Sequence, residues 1–307
     1  MVPLMDKCDF LIVTPVLNGS RFIADCILSV KEAFVHHSFI HVIIDGGSTD
    51  NTEEVIKKNH HDSLVYLSIP GSSMYEAINE GIDFSEASFF YQLNADDLIL
   101  PETPDYIYNC FKQDAAVDII SGAILSVDIE ENSCKLKVPL IKQFTIKRIG
   151  VNLFVNQPST FVRYSILKEI GGFSENYRYA SDTELWLHLI RKGYHFERTA
   201  KCLSINRVHS LCAALSDRHA QELKTVRELY YSATVFLPLA KLFNSVLFLF
   251  TQVLAMSRIN MYLPHHSKSF GGLLSRIYGV FFSTRRAGVV FSYPFFKGIF
   301  WFEGRFR

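Results

Sequence analysis

Four short apolar runs alternate with helical patterns over residues 10–97, and this alternation constrains the fold more than any other feature of the chain. The runs lie at 10–16, 41–44, 64–69 and 89–93, and amphipathic segments separate them. Apolar runs of this length are typical of strands buried on both faces, and parallel strands need crossover segments between them. The pattern therefore predicts an α/β fold with a mostly parallel central sheet and helices on both faces.

The rest of the chain adds further elements and a change in composition. Residues 128–150 are polar and irregular, and we expect an excursion or a flexible loop there. Aromatic, aliphatic and basic residues dominate from about residue 230. We therefore predict one domain over 1–230, with halves at 8–112 and 113–230, and a separate region over 231–307. The other predicted elements are strands at 117–127 and 160–163, a helix ending at Gly171, a helix beginning near Asp182 and extended chain at 196–208.

Polar residues mark two of the predicted helix starts. Ser20 follows the turn at Asn18–Gly19 and is a candidate N-cap for the first helix. Asp50 and Glu53 have the spacing of a capping box, which predicts the start of the second helix.

Carboxylates follow two of the predicted parallel strands. Asp45 ends the second strand, and the adjacent Asp96 and Asp97 follow the fourth. Ligands of open α/β sheets bind outside the carboxyl ends of the strands, and two adjacent carboxylates repel each other unless a cation or donor cluster neutralises them. Hard oxygen ligands suit Mg²⁺ or Mn²⁺. The alternative is an Asp pair that caps the next helix, near Pro101.

The sequence lacks the glycine-rich loops that usually bind phosphate. It contains neither a G-x-x-x-x-G-K-[ST] loop nor a G-x-G-x-x-G segment after a strand. A nucleotide would still find partners here, because carboxylates accept from base N–H groups and ribose hydroxyls. A metal ion bridging to the pyrophosphate is then the natural substitute for a phosphate loop.

Charge is distributed unevenly, although the 31 basic and 31 acidic residues balance. Residues 232–307 carry nine Lys or Arg and one acid, a net charge of +8, which leaves −8 for the remainder. This asymmetry suggests a negatively charged partner for the tail. The six cysteines form no C-x-x-C pair, and Met1–Asp9 shows no export signal, so we expect a reduced, cytosolic compartment.

The tail has the composition of a membrane-surface segment. Residues 233–256 are largely apolar, but Lys241, Asn244 and Gln252 interrupt them before the roughly 20 residues that a span requires. Aromatic residues alternate with Arg and Lys farther on, a combination that favours helices lying on an anionic leaflet. The alternative is a tail packed against the main domain or in a dimer. Nucleic acid is not an expected partner, because the bulky apolar surface is too large.

Seven segments of the chain carry distinctive motifs. The segments are Thr14–Asn18 (TPVLN), Ile43–Thr52 (IIDGGSTDNT), Met74–Ile82 (MYEAINEGI), Leu93–Asp97 (LNADD), Gln157–Val162 (QPSTFV), Gly171–Phe173 (GGF) and Tyr179–Leu187 (YASDTELWL). Together they resemble family 2 glycosyltransferases of the GT-A fold, closest to a subgroup found in bacterial polysaccharide assembly. The resemblance covers about residues 8–215, and the order and spacing of the segments make it specific.

The resemblance implies a role for individual residues. Asp45 would contact the nucleotide base, Asn79 would lie over the diphosphate or donor sugar, and Asp182 would be the general base. Asp97 would be the surest contact of the Mg²⁺ or Mn²⁺ ion, with Asp96 near the ribose or the metal. His209 would approach the metal or the diphosphate, and the alternative is a structural role, which is commoner for a lone His. The other residues implied to line the nucleotide-sugar site are Thr14, Pro15, Asn18, Gly47, Ser48, Tyr75 and Asn94.

The position of Asp182 in the sequence fits either of two roles, and the chain departs from the family in several places. Asp182 is at a predicted helix start, where the helix dipole favours the ionised form that a base needs, but a simple N-cap has the same position. Gly46 replaces a second Asp, Ile78 stands where many relatives carry Arg, and Ser181 stands where Glu is frequent. The chain also lacks the Q-x-x-R-W motif of processive polymerases.

The implied function is a metal-dependent, inverting, hexosyltransferase-type enzyme. It would move a sugar from a nucleotide-diphosphate donor to a hydroxyl of a glycan or polyprenyl-linked acceptor during cell-surface polysaccharide synthesis. We expect it on the cytoplasmic face of the cell membrane, as a peripheral or monotopic protein. A non-catalytic nucleotide-sugar or glycan-binding protein is the alternative from another class. A nucleotidyltransferase is disfavoured, because its glycine-rich, basic N-terminal loop is missing.

Overall fold

A computed structural model describes residues 7–131, 133–137, 139, 155–210, 217–231 and 282–283 of the chain. Strands and helices alternate over the first half. These elements are β1 (Cys8–Val16), α1 (Ile23–Ala33), β2 (Phe39–Asp45), α2 (Thr52–Lys58), β3 (Leu64–Ser68), α3 (Met74–Ile82), β4 (Ala87–Gln92), β5 (Leu98–Ile99) and α4 (Thr103–Gln113).

The second half is richer in long strands. It contains β6 (Ile119–Asp128), β7 (Ser133–Lys137), a short 3₁₀ turn (Gln157–Ser159), β8 (Thr160–Arg163), α5 (Tyr164–Ile170), α6 (Ser181–Lys192), β9 (Phe196–Val208), α7 (Asp217–Tyr231) and β10 (Phe282–Ser283).

One mixed sheet contains all ten described strands. Its main path runs β10-β7-β6-β8-β4-β1-β2-β3, with β9 beside β6 and β5 beside β9. Strand β1 is parallel to both β2 and β4, and β2 is parallel to β3. The second half pairs antiparallel at β4–β8, β6–β8 and β6–β7, whereas β6 and β9 are parallel. The predicted α/β architecture is confirmed, but a mostly parallel sheet describes the first half alone.

The sheet is covered by helices on both faces, as predicted. Successive residues of β1 point to opposite sides, because side chains alternate along a strand. Leu11 and Val13 pack in a core that includes residues of α3, α5 and α6. Phe10 and Ile12 pack in a second core that includes residues of α1 and α4. Fully burying each such side chain stabilises the fold by about 1.5–3 kcal/mol.

Helix α3 packs very closely on the centre of the sheet. An ideal Cβ atom on Gly81 would lie 2.5 Å from Cγ1 and 2.8 Å from Cγ2 of Val13 on β1. The absence of a side chain at Gly81 is therefore what allows this helix to approach the strand. A capping box starts the helix, with Ser73 Oγ accepting from Glu76 N and Glu76 Oε2 accepting from Ser73 N.

Both predicted helix starts are wrong in detail. The N-cap of α1 is Phe22, and that of α2 is Asn51; neither makes a side-chain capping bond. Ser20 N donates to Asp50 Oδ2 at 3.2 Å, while Asp50 Oδ1 accepts from the backbone N–H of Thr52, the first residue of α2, at 3.1 Å. Ser20 and Asp50 therefore link the loop after β1 to the loop after β2, a contact that local spacing in the sequence does not reveal.

The predicted irregular stretch at 128–150 contains a strand. Residues 133–137 form β7, which pairs antiparallel with β6 across a tight turn. Residues 140–154 lie outside the described residues, as does most of the tail over 231–307. Backbone pairing places β10 beside β7. Among the described helices, none has both the length and the apolar character that crossing a membrane requires.

Candidate active site

The loops after β1 and β2 are joined by hydrogen bonds at the carboxyl edge of the parallel strands. Asn18 adopts a positive φ of 53°, a conformation that Asn tolerates better than most residues. Its backbone N–H donates to Ser48 Oγ at 2.8 Å, and its Oδ1 accepts from Thr49 N at 2.8 Å. Gly19 N donates to Thr52 Oγ1 at 2.9 Å. The predicted nucleotide residues Asn18 and Ser48 are thus brought together.

Asp45 lies at the centre of this edge and is buried. Its Oδ1 accepts from Gly47 N at 2.9 Å and Ser48 N at 2.7 Å, and its Oδ2 accepts from Tyr66 OH at 3.1 Å. Gly47 has a φ of 103°, in the left-handed region that favours glycine. Three donors thereby fix the carboxylate before any ligand arrives. Sequence reasoning missed Tyr66, which is on a third strand.

Thr14 and Pro15 lie in the last part of β1 and differ in exposure. Thr14 is fully buried, and its Oγ1 lies 2.9 Å from Nε2 of His41 on β2. Burial lowers the pKa of His41 to about 3, so the imidazole is neutral at physiological pH. The Thr14 side chain therefore supports the sheet, and only its backbone could line a ligand site. Pro15 is partly exposed.

The acidic pair after β4 is held by the end of β9. Asp97 is fully buried, and its Oδ1 accepts from Asn206 Nδ2 and Arg207 N, each at 3.0 Å. Burial and the neighbouring charge of Asp96 raise the pKa of Asp97 to about 8. Asn94 Nδ2 lies 3.5 Å from Asp97 Oδ2. The pair does not cap the next helix, because Glu102 is the N-cap of α4.

Asp96 is more exposed and contacts His209. Nε2 of His209 lies 3.0 Å from Asp96 Oδ2, so two predicted metal ligands that are far apart in sequence are adjacent in space. The His209 ring stacks on Phe22, with ring centroids 4.8 Å apart.

Arg207, near the end of β9, contacts both the segment after β4 and helix α1, and the sequence did not predict this role. The side chain is buried, and its guanidinium lies 4.7 Å above the Phe22 ring. Nη1 is 3.0 Å from Asp25 Oδ2, Nη2 donates to the Phe22 carbonyl, and Nε donates to the Asp96 carbonyl. An Arg followed two residues later by a His at a strand end is the only signal that the sequence offered.

The side chains that follow β4 and β9 are of the chemical types that bind a divalent cation. Asp96 and Asp97 offer hard oxygen atoms and His209 offers a ring nitrogen, ligands that Mn²⁺ and Mg²⁺ accept. In the part of the chain that the structure describes, no three His, Cys, Asp or Glu side chains are arranged as a complete metal site. One or two protein ligands are nevertheless enough where substrate phosphates supply the others.

Two residues of α3 connect the halves of the domain. Asn79 Nδ2 donates to the Phe173 carbonyl at 2.9 Å and to Glu175 Oε1 at 3.0 Å, and Asn79 Oδ1 accepts from Phe173 N at 2.8 Å. Both amide hydrogens are therefore used within the protein. The buried Tyr75 stacks on Phe173 with centroids 5.6 Å apart, and its hydroxyl accepts from Asp182 N at 3.3 Å.

Asp182 lies in the first turn of α6 but is not its cap. The N-cap is Ala180, so Asp182 is the second helical residue, and its Oδ1 accepts from Thr183 N at 2.6 Å. Burial raises the pKa of this carboxyl, while the bond from Thr183 and the charge of His219 act in the opposite direction. A carboxylate with a raised pKa is better matched to proton abstraction near neutral pH.

Comparison with known sequences identifies a family for this arrangement. The profile described as glycosyl transferase family 2 matches residues 11–171, slightly more than half of the chain. An uncharacterized glycosyltransferase of Rickettsia typhi is 23% identical over 205 residues, covering 64% of this chain and 63% of the relative. The poly-β-1,6-N-acetyl-D-glucosamine synthase of Staphylococcus epidermidis is 28% identical over 198 residues, covering 60% of this chain and 47% of that enzyme. The chain thus spans less than two thirds of either relative.

Solved structures share the fold at low sequence identity. The S. aureus protein TarS, residues 1–349 in complex with UDP, matches with a TM-score of 0.58 and 16% identity, covering 74% of this chain and 67% of TarS. The mannosyltransferase PcManGT of Pyrobaculum calidifontis, in complex with GDP-Man and Mn²⁺, matches with a TM-score of 0.54 and 14% identity, covering 89% and 80%. At these identities the likeness establishes a GT-A-like fold.

Proposed function

The chain belongs to glycosyl transferase family 2, and from this premise we propose that it is an inverting enzyme that transfers a sugar from a nucleotide-diphosphate donor to an acceptor hydroxyl. The observation that carries the proposal is the 3.0 Å contact between Asp96 and His209. It joins the ends of β4 and β9 at the edge where Asp45 ends β2. A donor nucleotide bound there would have its base toward Asp45 and its diphosphate toward Asp96 and Asp97.

Asp182 is the proposed general base. Its carboxylate would take the proton of the acceptor hydroxyl while that oxygen attacks the anomeric carbon. The bond from the anomeric carbon to the diphosphate oxygen then breaks, and the nucleoside diphosphate leaves with the bonding electrons. The fixed position of Asp182 between Tyr75 and Thr183 supports this role, because a base must be within hydrogen-bond reach in a defined geometry.

A divalent cation is proposed as the cofactor. Asp96 and Asp97, with His209, would hold it, and when bound it would offset the negative charge that develops on the leaving diphosphate. The Mn²⁺ in PcManGT supports this proposal. Asn79 would act indirectly, by fixing the 173–175 loop, since both of its amide hydrogens are already used.

The donor and the pathway are proposed from the relatives. UDP in TarS supports a nucleotide-diphosphate sugar as donor. The poly-β-1,6-N-acetyl-D-glucosamine synthase supports polysaccharide synthesis, with a glycan or polyprenyl-linked acceptor. We also propose the division into a domain over 1–230 and a membrane-associating region over 231–307, at the cytoplasmic face of the membrane.

Replacing Asp182 by Asn tests the assignment. Asp182→Asn keeps the size and one acceptor but cannot take a proton, so sugar transfer should fall by roughly a hundredfold or more. Binding of UDP-GlcNAc with Mn²⁺, measured by calorimetry, should remain, because the proposed donor contacts Asp45, Asp96 and Asp97 lie at the ends of strands and not on α6. Unimpaired turnover in the variant would contradict the base assignment. Donor binding without turnover by the unaltered protein, across a panel of glycan and lipid-linked acceptors, would indicate a binding protein instead.

A further inference from the structure

Helix α6 begins without a capping side chain of its own. Its N-cap is Ala180, which has no polar atom to accept from the first backbone N–H groups. Such groups lack partners within the helix and must find them elsewhere. Asp182 N finds the hydroxyl of Tyr75, and Thr183 N finds the Asp182 carboxylate. The turn that precedes the helix depends on a residue from another element.

That residue is Glu222 of α7. Its Oε2 accepts from Tyr179 N at 2.7 Å and from Ala180 N at 3.1 Å, and its Oε1 accepts from Arg178 N at 3.2 Å. Three consecutive backbone N–H groups therefore converge on one carboxylate. Hydrogen bonds to an ionised acceptor are about twice as strong as neutral ones, so this contact fixes the backbone just before Asp182.

The apolar contact of helix α7 with the domain is small, and Leu223 and Tyr230 are partly buried in it. Of its side chains that the structure describes, Val226 alone is buried, where it packs against Ala180 and Leu187. Leu229 is 59% exposed. Near the other end of the helix, the Tyr230 hydroxyl donates to Glu184 Oε1 at 2.5 Å. The polar contacts of Glu222 and Tyr230 are thus directed at the backbone just before α6 and at its first turn.

We propose that Glu222 is a positioning residue for Asp182 and that α7 is thereby part of the transfer machinery. This inference rests on the proposed function, because it concerns the geometry of the base. Helix α7 lies beyond residues 11–171, which the family profile covers. The Glu222 carboxylate holds the 178–180 backbone, this backbone sets the direction in which α6 starts, and Asp182 is carried on that first turn.

The test uses the full chain and the substitution Glu222→Gln. Glutamine keeps the size but loses the charge, so backbone amides 178–180 should exchange hydrogen roughly tenfold faster or more. Turnover should fall about a hundredfold, because a base displaced by about 1 Å loses that much. Binding of UDP-GlcNAc with Mn²⁺ should stay within about twofold of wild type, a split that global destabilisation would not produce. Glu228→Gln is the matched control on the same helix, since Glu228 is exposed and its nearest cation is Lys224 at 3.9 Å.

Each outcome decides the inference. Normal amide exchange at 178–180 in Glu222→Gln would overturn the holding role, and faster exchange with unchanged turnover would overturn the catalytic consequence. Loss of donor binding together with turnover would indicate a structural role instead. If Glu222→Gln does not fold, Glu222→Asp, which keeps the charge but shortens the reach, replaces it with the same readouts. Absence of turnover in the wild type would contradict the proposed function, while amide exchange would still decide whether Glu222 holds the turn.

Discussion

At the scale of the residue, Asp97 combines burial with a neighbouring charge. Its pKa of about 8 in the folded protein exceeds the value of about 3.9 for an unfolded aspartate. The folded state therefore holds the proton more tightly than the unfolded state. Stability contributed by this group is fully present below about pH 4 and is lost as the pH rises toward about 8. Ionisation of Asp97 therefore destabilises the folded protein, and a cation bound beside this carboxylate would offset that loss.

The substitution Asp97→Asn should therefore stabilise the metal-free protein. Asparagine is neutral at every pH, so the variant should exceed wild type in unfolding free energy by roughly 1 kcal/mol or more at pH 8. The difference should shrink toward pH 4. Urea denaturation at several pH values measures it, with Glu54→Gln as a control for removing one negative charge from the surface of α2. Mn²⁺-dependent nucleotide binding should be lost in the same variant. A variant less stable than wild type at pH 8 would contradict this account.

Prediction from sequence succeeded for residues whose position along a strand determines their place. Asp45 ends β2, and Asp96 and Asp97 lie in the short segment after β4, so the parallel sheet brings them to one edge. Arg207 and Glu222 were not predicted, because their partners lie far away in the chain. Arg207 contacts Asp25 across 182 positions, and no local pattern indicates such a pair.

At the scale of the element, α3 is the helix whose position matters most. It lies against β1 at Gly81, and its side chains Tyr75 and Asn79 reach the second half of the domain. The sequence predicted an amphipathic helical segment between the apolar runs at 64–69 and 89–93, and α3 confirms it. The pairing of Asn79 with the 173–175 loop was not predictable, because the sequence around Asn79 does not indicate which distant residue its side chain contacts.

Gly81→Ala should destabilise the protein by about 1–3 kcal/mol, the usual cost of overpacking a core. The added methyl would lie within 3 Å of both methyl groups of Val13, so the helix would have to move from the strand. Thermal or urea denaturation measures the loss. In a double-mutant cycle with Val13→Ala, the two substitutions together should cost less than the sum of their separate effects. Strict additivity would show that the contact is not tight.

At the scale of the whole molecule, positive and negative charge are concentrated in different parts of the chain. Residues 232–307 carry a net charge of +8 and many aromatic residues, while the remainder carries −8. The proposed membrane association follows from that composition, because cationic and aromatic side chains favour an anionic surface.

Membrane fractionation tests this association. The full chain should sediment with vesicles that contain anionic lipid and should be released by alkaline carbonate, as a surface-bound protein is. A chain ending at Tyr231 is the matched control and should stay in the supernatant. Retention after carbonate extraction would indicate that the tail is integral to the membrane, and failure to sediment would exclude the association.

The two contacts of α3 with the second half also limit how such chains can recombine. Tyr75 meets the start of α6, and Asn79 meets the loop before it, where a Cβ atom on Gly172 would lie 2.5 Å from Asn79 Oδ1. A chimera that takes its donor half from one relative and its acceptor half from another would separate these partners. A chimera designed to exchange acceptor specificity therefore has to take α3 and residues 171–182 from the same parent protein.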